Sequence, residues 1–341
     1  MAQINKPDDY FNTVLYTGNG STQSITGVGF QPDWLWLKSR SQVVNHYGFD
    51  AVRGVTKGLS QNTTSAESTK DSTWVTSFDS DGFSLGSEAN INNSSSTYVS
   101  WNWLANGTGA SNTDGSITST VSANTTSGFS IVSYTGTGAN ATVGHGLNAV
   151  PKMIICKNRI DAETWGTYHV SIGATKYLGL NLNQGTSTSS TPWNDTEPTS
   201  SVFSLGSWGA VNGSGDNCIA YCFAEKKGFS KFGSYTGNGS TDGTFVYTGF
   251  KPAFIIVKRT DSTGSWLLMD NKRDTFNVCD AELLANDSFQ ETLATNLDIL
   301  SNGFKLRTTG AEKNASGGSY IYMAFAENPL VGTNNIPATA R

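Results

Sequence analysis

The segment Tyr16-Thr17-Gly18-Asn19-Gly20 recurs as Tyr134-Thr135-Gly136-Thr137-Gly138 and again as Tyr235-Thr236-Gly237-Asn238-Gly239. Each copy closes an alternating, strand-like stretch at residues 13–16, 129–134 or 232–235. Self-similarity at a long and nearly even spacing means a chain made of repeated units, and it outranks any single motif. Working outward, each copy is followed by a proline and an apolar run ending in lysine: Pro32-Asp33-Trp34-Leu35-Trp36-Leu37-Lys38, Pro151-Lys152-Met153-Ile154-Ile155-Cys156-Lys157 and Pro252-Ala253-Phe254-Ile255-Ile256-Val257-Lys258. A turn residue feeding such a run predicts a strand, and apolar side chains at both parities predict that both of its faces are covered.

Further along each copy come a Phe-x-Leu strand and a long closing strand: residues 83–85 with 98–104, 203–205 with 218–224, and 304–306 with 320–326. In the closing strand, Val99, Trp101 and Trp103 register with Ile219, Tyr221 and Phe223 and with Ile321, Met323 and Phe325. One parity is therefore large and apolar throughout, and the expectation is that it packs the core of each unit. Residues 280–286 carry helix-forming Ala, Glu and Leu, but their counterparts, 56–62 and 175–181, alternate like strands, so a strand is expected there too.

The chain is thus expected to be all-β, with an N-terminal segment at 1–11 and three tandem antiparallel β-sandwich modules at 12–105, 128–227 and 228–329. Each is close to the roughly 100 residues of a common sandwich domain. Residues 106–127, rich in Gly, Ser, Thr and Asn, are expected to be a flexible linker or a wandering surface strand, and 330–341 a fraying tail. Lys226-Lys227-Gly228 joins the second and third units directly, which predicts close contact between those two.

Composition narrows the function classes. Of the 341 residues only 14% are charged, against about 25% in an average domain. Formal net charge is −5 and no Lys/Arg run is present, which argues against nucleic-acid binding. The apolar runs fall far short of the roughly 18 residues that a bilayer-spanning helix needs, so no membrane insertion is expected. The first ten residues lack the apolar stretch of a secretory signal. Cys156, Cys218, Cys222 and Cys279 lack disulfide-framework or zinc spacing and are expected to be buried free thiols.

No catalytic residue, cofactor site or metal site emerges. Gly82-Phe83-Ser84-Leu85-Gly86 matches G-x-S-x-G, but Ser84 alternates as a strand residue and no helix follows. His46, His145 and His169 share no registered position. His169 registers with Asp50 and Asp270, which marks a polar strand position rather than a general base. Asp79-Ser80-Asp81-Gly82 resembles part of a calcium loop but lacks the downstream ligands and is expected to be a turn. Tyr-Thr-Gly-x-Gly lacks the third glycine and the helix of a phosphate loop, so a hairpin turn is expected. The N-x-[ST] triplets at Asn19, Asn62, Asn106, Asn194 and Asn314 are frequent by chance in such a composition. Sugar recognition uses aromatic faces with a few polar partners, and Trp74, Trp165, Trp193, Trp208 and Trp266 lie outside the core pattern. These five are the candidate ligand-binding residues, with packing within their own sandwich as the competing reading.

A resemblance is carried by several stretches in order. They are Asp9-Tyr10-Phe11-Asn12-Thr13, Gly29-Phe30-Gln31-Pro32-Asp33-Trp34, Phe49-Asp50-Ala51-Val52-Arg53-Gly54, Ser77-Phe78-Asp79-Ser80-Asp81-Gly82-Phe83 and Ala324-Phe325-Ala326-Glu327-Asn328-Pro329. With them the chain resembles structural proteins of marine tailed bacteriophages, which are built from repeated concanavalin-like (jelly-roll) sandwich modules. The resemblance implies a non-enzymatic virion component, assembled in the host cytoplasm and exposed on the particle surface. It would be a tail-associated or capsid-surface appendage, in the form of a knob, spike or decoration. Its expected partners are other virion proteins, host-surface glycans and further copies of itself; the resemblance favours a homotrimer, and closed symmetry would hide the strand edges. A surface-polysaccharide depolymerase using Asp79 and Asp81 is the enzymatic alternative, and a secreted bacterial adhesin the third.

Overall fold

The computed structural model describes residues 3–327, and within them the chain is all-β, arranged as several antiparallel sheets. Each repeat lays down four hydrogen-bonded strands in one order. An opening strand (Phe11–Thr17, Phe129–Thr135 or Ser230–Thr236) pairs with the closing strand (Thr97–Trp103, Asn217–Ala224 or Ser319–Ala326). The closing strand pairs in turn with the proline-led strand (Trp34–Ser39, Pro151–Asn158 or Pro252–Arg259), and that with a fourth strand (Tyr47–Asp50, Gly166–His169 or Trp266–Asp270). The Phe-x-Leu strands lie on the opposite side, paired with Gln23–Thr26, Ala141–Gly144 and Phe245–Tyr247.

Both faces of the proline-led strand are covered, as its sequence requires. Leu35 and Leu37 enter a core belonging to the first repeat, while Trp34 and Trp36 point the other way into a cluster drawn from all three repeats. The closing strands divide in the same manner. Their large apolar parity does not fill each repeat's own interior, as the sequence pattern suggested. It faces the shared cluster, and the interior receives the other parity: Tyr98, then Cys218, Ala220, Cys222 and Ala224, then Tyr320, Tyr322, Ala324 and Ala326. Period-two alternation tells which residues share a face but is silent on what covers that face.

The shared cluster has threefold geometry. Trp103, Phe223 and Phe325 occupy equivalent positions, opposite Trp34, Met153 and Phe254. Their ring centroids stand 6.4, 6.2 and 5.9 Å apart, with interplanar angles of 67°, 64° and 73°. Three edge-to-face rings in a near-equilateral triangle place an axis through the middle of the chain. Trp34 stacks on Tyr221 at 4.3 Å, and Phe11 on Phe325 at 4.9 Å, so the opening and proline-led strands of the first repeat reach both neighbours. The contact expected only between the second and third repeats therefore extends to all three.

Residues 106–127 contain the strands Ala110–Asn112 and Ser119–Asn124. The latter pairs along its length with Phe129–Thr135, so this stretch carries strands added to the edge of the second repeat's sheet. Val121 and Ile117 supply the apolar contacts that hold it. Residues 279–284 form a strand, as registration with the sister repeats indicated. The N-terminal segment is also anchored: Ile4 is buried in the shared cluster and donates its N–H to Lys227 O. The tail at 330–341 lies outside the described residues.

The Tyr-Thr-Gly-x-Gly signature is a structural clip, formed three times. The tyrosine hydroxyl donates to a carbonyl in a short helix that precedes the closing strand: Tyr16 to Ile91 O, Tyr134 to Val211 O and Tyr235 to Lys313 O. The first glycine comes so near that a Cβ on Gly18, Gly136 or Gly237 would stand 2.3 Å from a backbone oxygen, and the second glycine has φ of +69°, +69° or +67°. A wholly buried asparagine ends each helix. Asn212 Oδ1 accepts from Thr137 N, and its Nδ2 donates to Ala139 O and Gly206 O; Asn92 and Asn314 make the same bonds. Asn212→Ala strands one donor and two acceptors, and a loss of about 3 kcal/mol is expected in urea unfolding. Asn212→Asp, which keeps the acceptor but loses the donors, should lose a comparable amount.

Candidate functional site

Two networks of buried charged side chains lie between repeats. At the junction of the first and second, Arg53 Nε donates to Asp50 Oδ2 at 2.6 Å, with both side chains fully buried. Arg53 Nη1 reaches Glu67 at 3.0 Å, and Glu67 is held by a two-pronged bond from Arg159 of the second repeat at 2.8 and 2.9 Å. Tyr221, also of the second repeat, donates its hydroxyl to Asp50 Oδ2 at 2.7 Å. Burial by itself would raise the Glu67 carboxyl, but the two arginines outweigh it and hold it below the usual carboxylate range. Two cations and two carboxylates make the network neutral, the condition under which ions are tolerated in an interior.

The junction of the third and first repeats repeats this arrangement. Arg273 pairs with Asp270 at 2.6 Å and with Glu291 at 3.1 Å, Arg40 of the first repeat grips Glu291, and Trp101 Nε1 donates to Asp270 Oδ2 at 3.1 Å. The remaining junction, between the second and third repeats, replaces every member. His169 stands for the aspartate, Ile172 for the inner arginine, Thr186 for the glutamate, Thr260 for the outer arginine and Met323 for the aromatic donor. The backbone bond that brings the outer pair together persists: Glu67 N to Arg159 O, Glu291 N to Arg40 O and Thr186 N to Thr260 O.

This exchange explains His169. Met323 has no proton to give a carboxylate, so the position takes a side chain able to donate to the backbone, and His169 Nε2 meets Tyr322 O at 3.2 Å. Nδ1 accepts from Ser171 N at 3.1 Å, which fixes the neutral tautomer with its proton on Nε2. Burial pushes the imidazole down to about 4, against a smaller upward effect of the Tyr322 carbonyl. A histidine held neutral in the fold binds its proton more readily once unfolded. Its contribution is therefore full above the unfolded value of about 6.5 and is lost as pH falls toward 4, amounting to about 3 kcal/mol. Stability measured from pH 7 to 4 should fall less steeply for His169→Gln than for the parent protein.

A second set of cross-repeat bonds joins the fourth strands to their neighbours. Trp165 Nε1 donates to Ser60 O and Trp266 Nε1 to Gly179 O, both at 2.9 Å, and His46 Nε2 meets Leu284 O at the same distance. Trp165 and Trp266, two of the five candidate ligand-binding tryptophans, are thus consumed in the junctions. Trp193 is buried edge-on against Tyr168. These three are buried and present no open aromatic face at the surface. Trp74 and Trp208 are half-buried and lie in different repeats. Lys70 Nζ covers Trp74 at 3.7 Å, and Tyr177 packs on Trp208 at 4.7 Å, so neither forms an open aromatic platform.

The candidate catalytic groups are likewise occupied. Ser84 lies in the strand Gly82–Leu85 and donates to Asp79 at 2.7 Å. Asp81 accepts from Gly27 N and Gly29 N, in the two-residue turn between Val75–Asp79 and Gly82–Leu85. His145 is buried between Leu147 N and Thr199 O. All four cysteines are buried free thiols. Asn62 and Asn314, two of the N-x-[ST] asparagines, are engaged in internal bonds. Among the described residues no three His, Cys, Asp or Glu side chains gather closely enough to hold a metal ion.

Sequence inspection missed the ion networks, although a signal existed: Asp50-Ala51-Val52-Arg53 and Asp270-Asn271-Lys272-Arg273 share a spacing that His169-Val170-Ser171-Ile172 breaks. The three registered lysines are another omission. Lys38, Lys157 and Lys258 are buried, and their ammonium groups bond only to carbonyls, such as Ser39 O, Asn158 O and Gly264 O. Burial pushes each down to about 8, opposed by carboxylates nearby. They pin the loop that leads to the fourth strand.

No curated protein matches this sequence. One family model does, and it takes in all three repeats as a single unit: by its match over residues 6–329, the chain belongs to the family DUF7483, a domain of unknown function.

Proposed function

We propose that this chain is a non-enzymatic structural component of a bacteriophage virion, a tail-associated or capsid-surface appendage. Its three repeats would be tandem jelly-roll, concanavalin-like sandwich modules that display loops toward a host-surface glycan or toward neighbouring virion proteins. The observation that carries this reading is the closure of three repeats on one aromatic axis, with two buried ion networks holding the repeats together. Such a body is suited to rigidity and display rather than turnover. The threefold symmetry expected of a homotrimeric appendage would then be supplied by the repeats of one chain.

Contact with neighbouring subunits would fall chiefly on the third repeat. Phe245, Tyr247, Phe276, Val278, Phe289 and Leu293 are six of the ten large apolar side chains exposed among the described residues. Mass spectrometry of gradient-purified particles should recover peptides from all three repeats in fixed ratio to the major structural protein. A chain abundant in the infected-cell lysate but missing from the particles would sink the proposal.

A further inference from the structure

The three repeats differ in how they close the gap between the opening strand and the strand that partners Phe-x-Leu. In the first, Asn12 Nδ2 reaches across to Gly27 O and Val28 O at 3.4 and 3.2 Å. In the second, residues 106–127 fill the gap. Thr120 and Ser122 stand opposite Ser133 and Ile131 of the opening strand. On the other side Ile117 N donates to Thr142 O at 3.0 Å and Ser119 Oγ to Gly144 O at 3.2 Å. The filling is close: a Cβ on Gly146 would stand 3.0 Å from Val121 and 3.2 Å from Ala123. The third repeat has no such segment before it, and its gap is uncovered among the described residues.

There the equivalents of Ile131 and Ser133 are Phe232 and Ser234, and those of Thr142 and Gly144 are Phe245 and Tyr247. Ser230–Thr236 and Phe245–Tyr247 are the two end strands of one eight-stranded sheet. The bonds Gly237 N to Gly318 O and Thr248 N to Asn302 O set the alternation, in which these four residues turn their backbone N–H and C=O away from the sheet. Thr244 Oγ1 bridges one end of the gap to Thr236 O at 2.7 Å, and the other end opens into a groove of about 440 Å³ bordered by Lys227, Lys231, Tyr247, Gly249 and Phe250. Gly249 takes the place of Gly146, but a Cβ there would meet only the Tyr247 ring, at 3.6 Å. Lys231, the counterpart of Asn12, turns away to Glu225 at 2.7 Å instead of spanning the gap. The core beneath is sealed all the same. Tyr322, the counterpart of Ala220, is 4% exposed and lays its ring against Gly233, where the second repeat has Val132. The repeat therefore needs no covering strand in order to fold, and its edge is left as a template for one, beside side chains of Phe245 and Tyr247 that are 45% and 63% exposed.

We propose that this edge accepts an extended strand donated by another protein, with the chemistry that residues 109–124 bring to the second repeat. Such a segment is rich in Ser, Thr, Asn and Gly and carries no basic residue, since Lys226, Lys227 and Lys231 outnumber Glu225 at the wide end of the groove. The proposal rests on the virion reading only for the strand's source, a neighbouring virion protein. The test uses the purified full chain and a fluorescein-labelled synthetic peptide of residues 109–124, followed by fluorescence anisotropy. Saturable binding is expected. Ser234→Pro should weaken it about tenfold, because proline removes an outward N–H and is tolerated in an edge strand at a position whose N–H bonds nothing in the sheet. Should that variant not fold, Tyr247→Ala removes an exposed wall of the groove, and a several-fold loss is expected. The proposal is overturned if the peptide shows no saturable binding, or if a folded variant binds it as the parent does. It is equally overturned if sedimentation without peptide reveals a dimer that Ser234→Pro abolishes, which gives the edge to a second copy of this chain. None of these results depends on whether the chain is found in particles, so the two proposals fail separately.

Discussion

Trp103→Ala is expected to destabilise the entire chain by about 3–5 kcal/mol, the loss seen when a buried aromatic side chain is cut back and its space does not refill. Trp103 touches residues of all three repeats, including Trp34, Phe129, Phe223, Phe254 and Phe325. The loss should therefore appear as a shift of one unfolding transition, followed in parallel by circular dichroism and tryptophan fluorescence in guanidinium chloride. Phe223→Ala and Phe325→Ala, at the other corners of the triangle, should behave alike, because each removes one side of the same contact. A variant in which only the first repeat melts early would show that the axis is a seam between independent units.

The second large effect concerns the buried ions. Arg53→Met should cost about 3–5 kcal/mol, because it leaves the buried Asp50 and the half-buried Glu67 without their central partner. Replacing the whole network should cost far less. The second and third repeats already join through a neutral set, so Asp50→His, Arg53→Ile, Glu67→Thr, Arg159→Thr and Tyr221→Met together should bring stability to within about 2 kcal/mol of the parent. Urea unfolding of the single and the fivefold variant gives the comparison directly. If the fivefold variant were as damaged as Arg53→Met, the ions would be contributing stability that the apolar junction does not match. The single change should also flatten the acid limb of the pH profile. Glu67 is held below its usual range by Arg159 and Arg53, and a carboxylate with a depressed folded value contributes stability that is lost as pH falls through that value.

Much of the fold was legible in the sequence because the chain repeats itself. Registration of the proline-led runs gave a strand covered on both faces, and registration of 280–286 with its sisters overrode local helix propensity in favour of the strand that is present. What covers the second face was not legible. Trp101 and Trp103 show the alternation of any half-buried strand, and the partner that buries them comes from more than one hundred residues further along the chain. The same limit governed the site. Trp165 directly precedes a fourth strand and Trp266 opens one, at loop borders that sequence alone takes for surface, yet each indole is buried where a neighbouring repeat offers a carbonyl. His169 was correctly read as a polar strand position, but its reason, a methionine across a junction that cannot donate, is a fact of tertiary structure. The glycines of the clip were placed in turns, whereas the buried asparagine that holds each turn was overlooked among many surface asparagines.

Native-state hydrogen exchange followed by mass spectrometry tests the central claim, that three repeats form one closed body, most directly. The closing strands at 97–103, 217–224 and 319–326 surround the axis, and their amides should exchange only through global unfolding, with one common opening free energy that Trp103→Ala lowers equally in all three. Exchange in one closing strand orders of magnitude faster than in the others would contradict the account. It would mean that a repeat opens by itself and that the axis joins units able to fold apart.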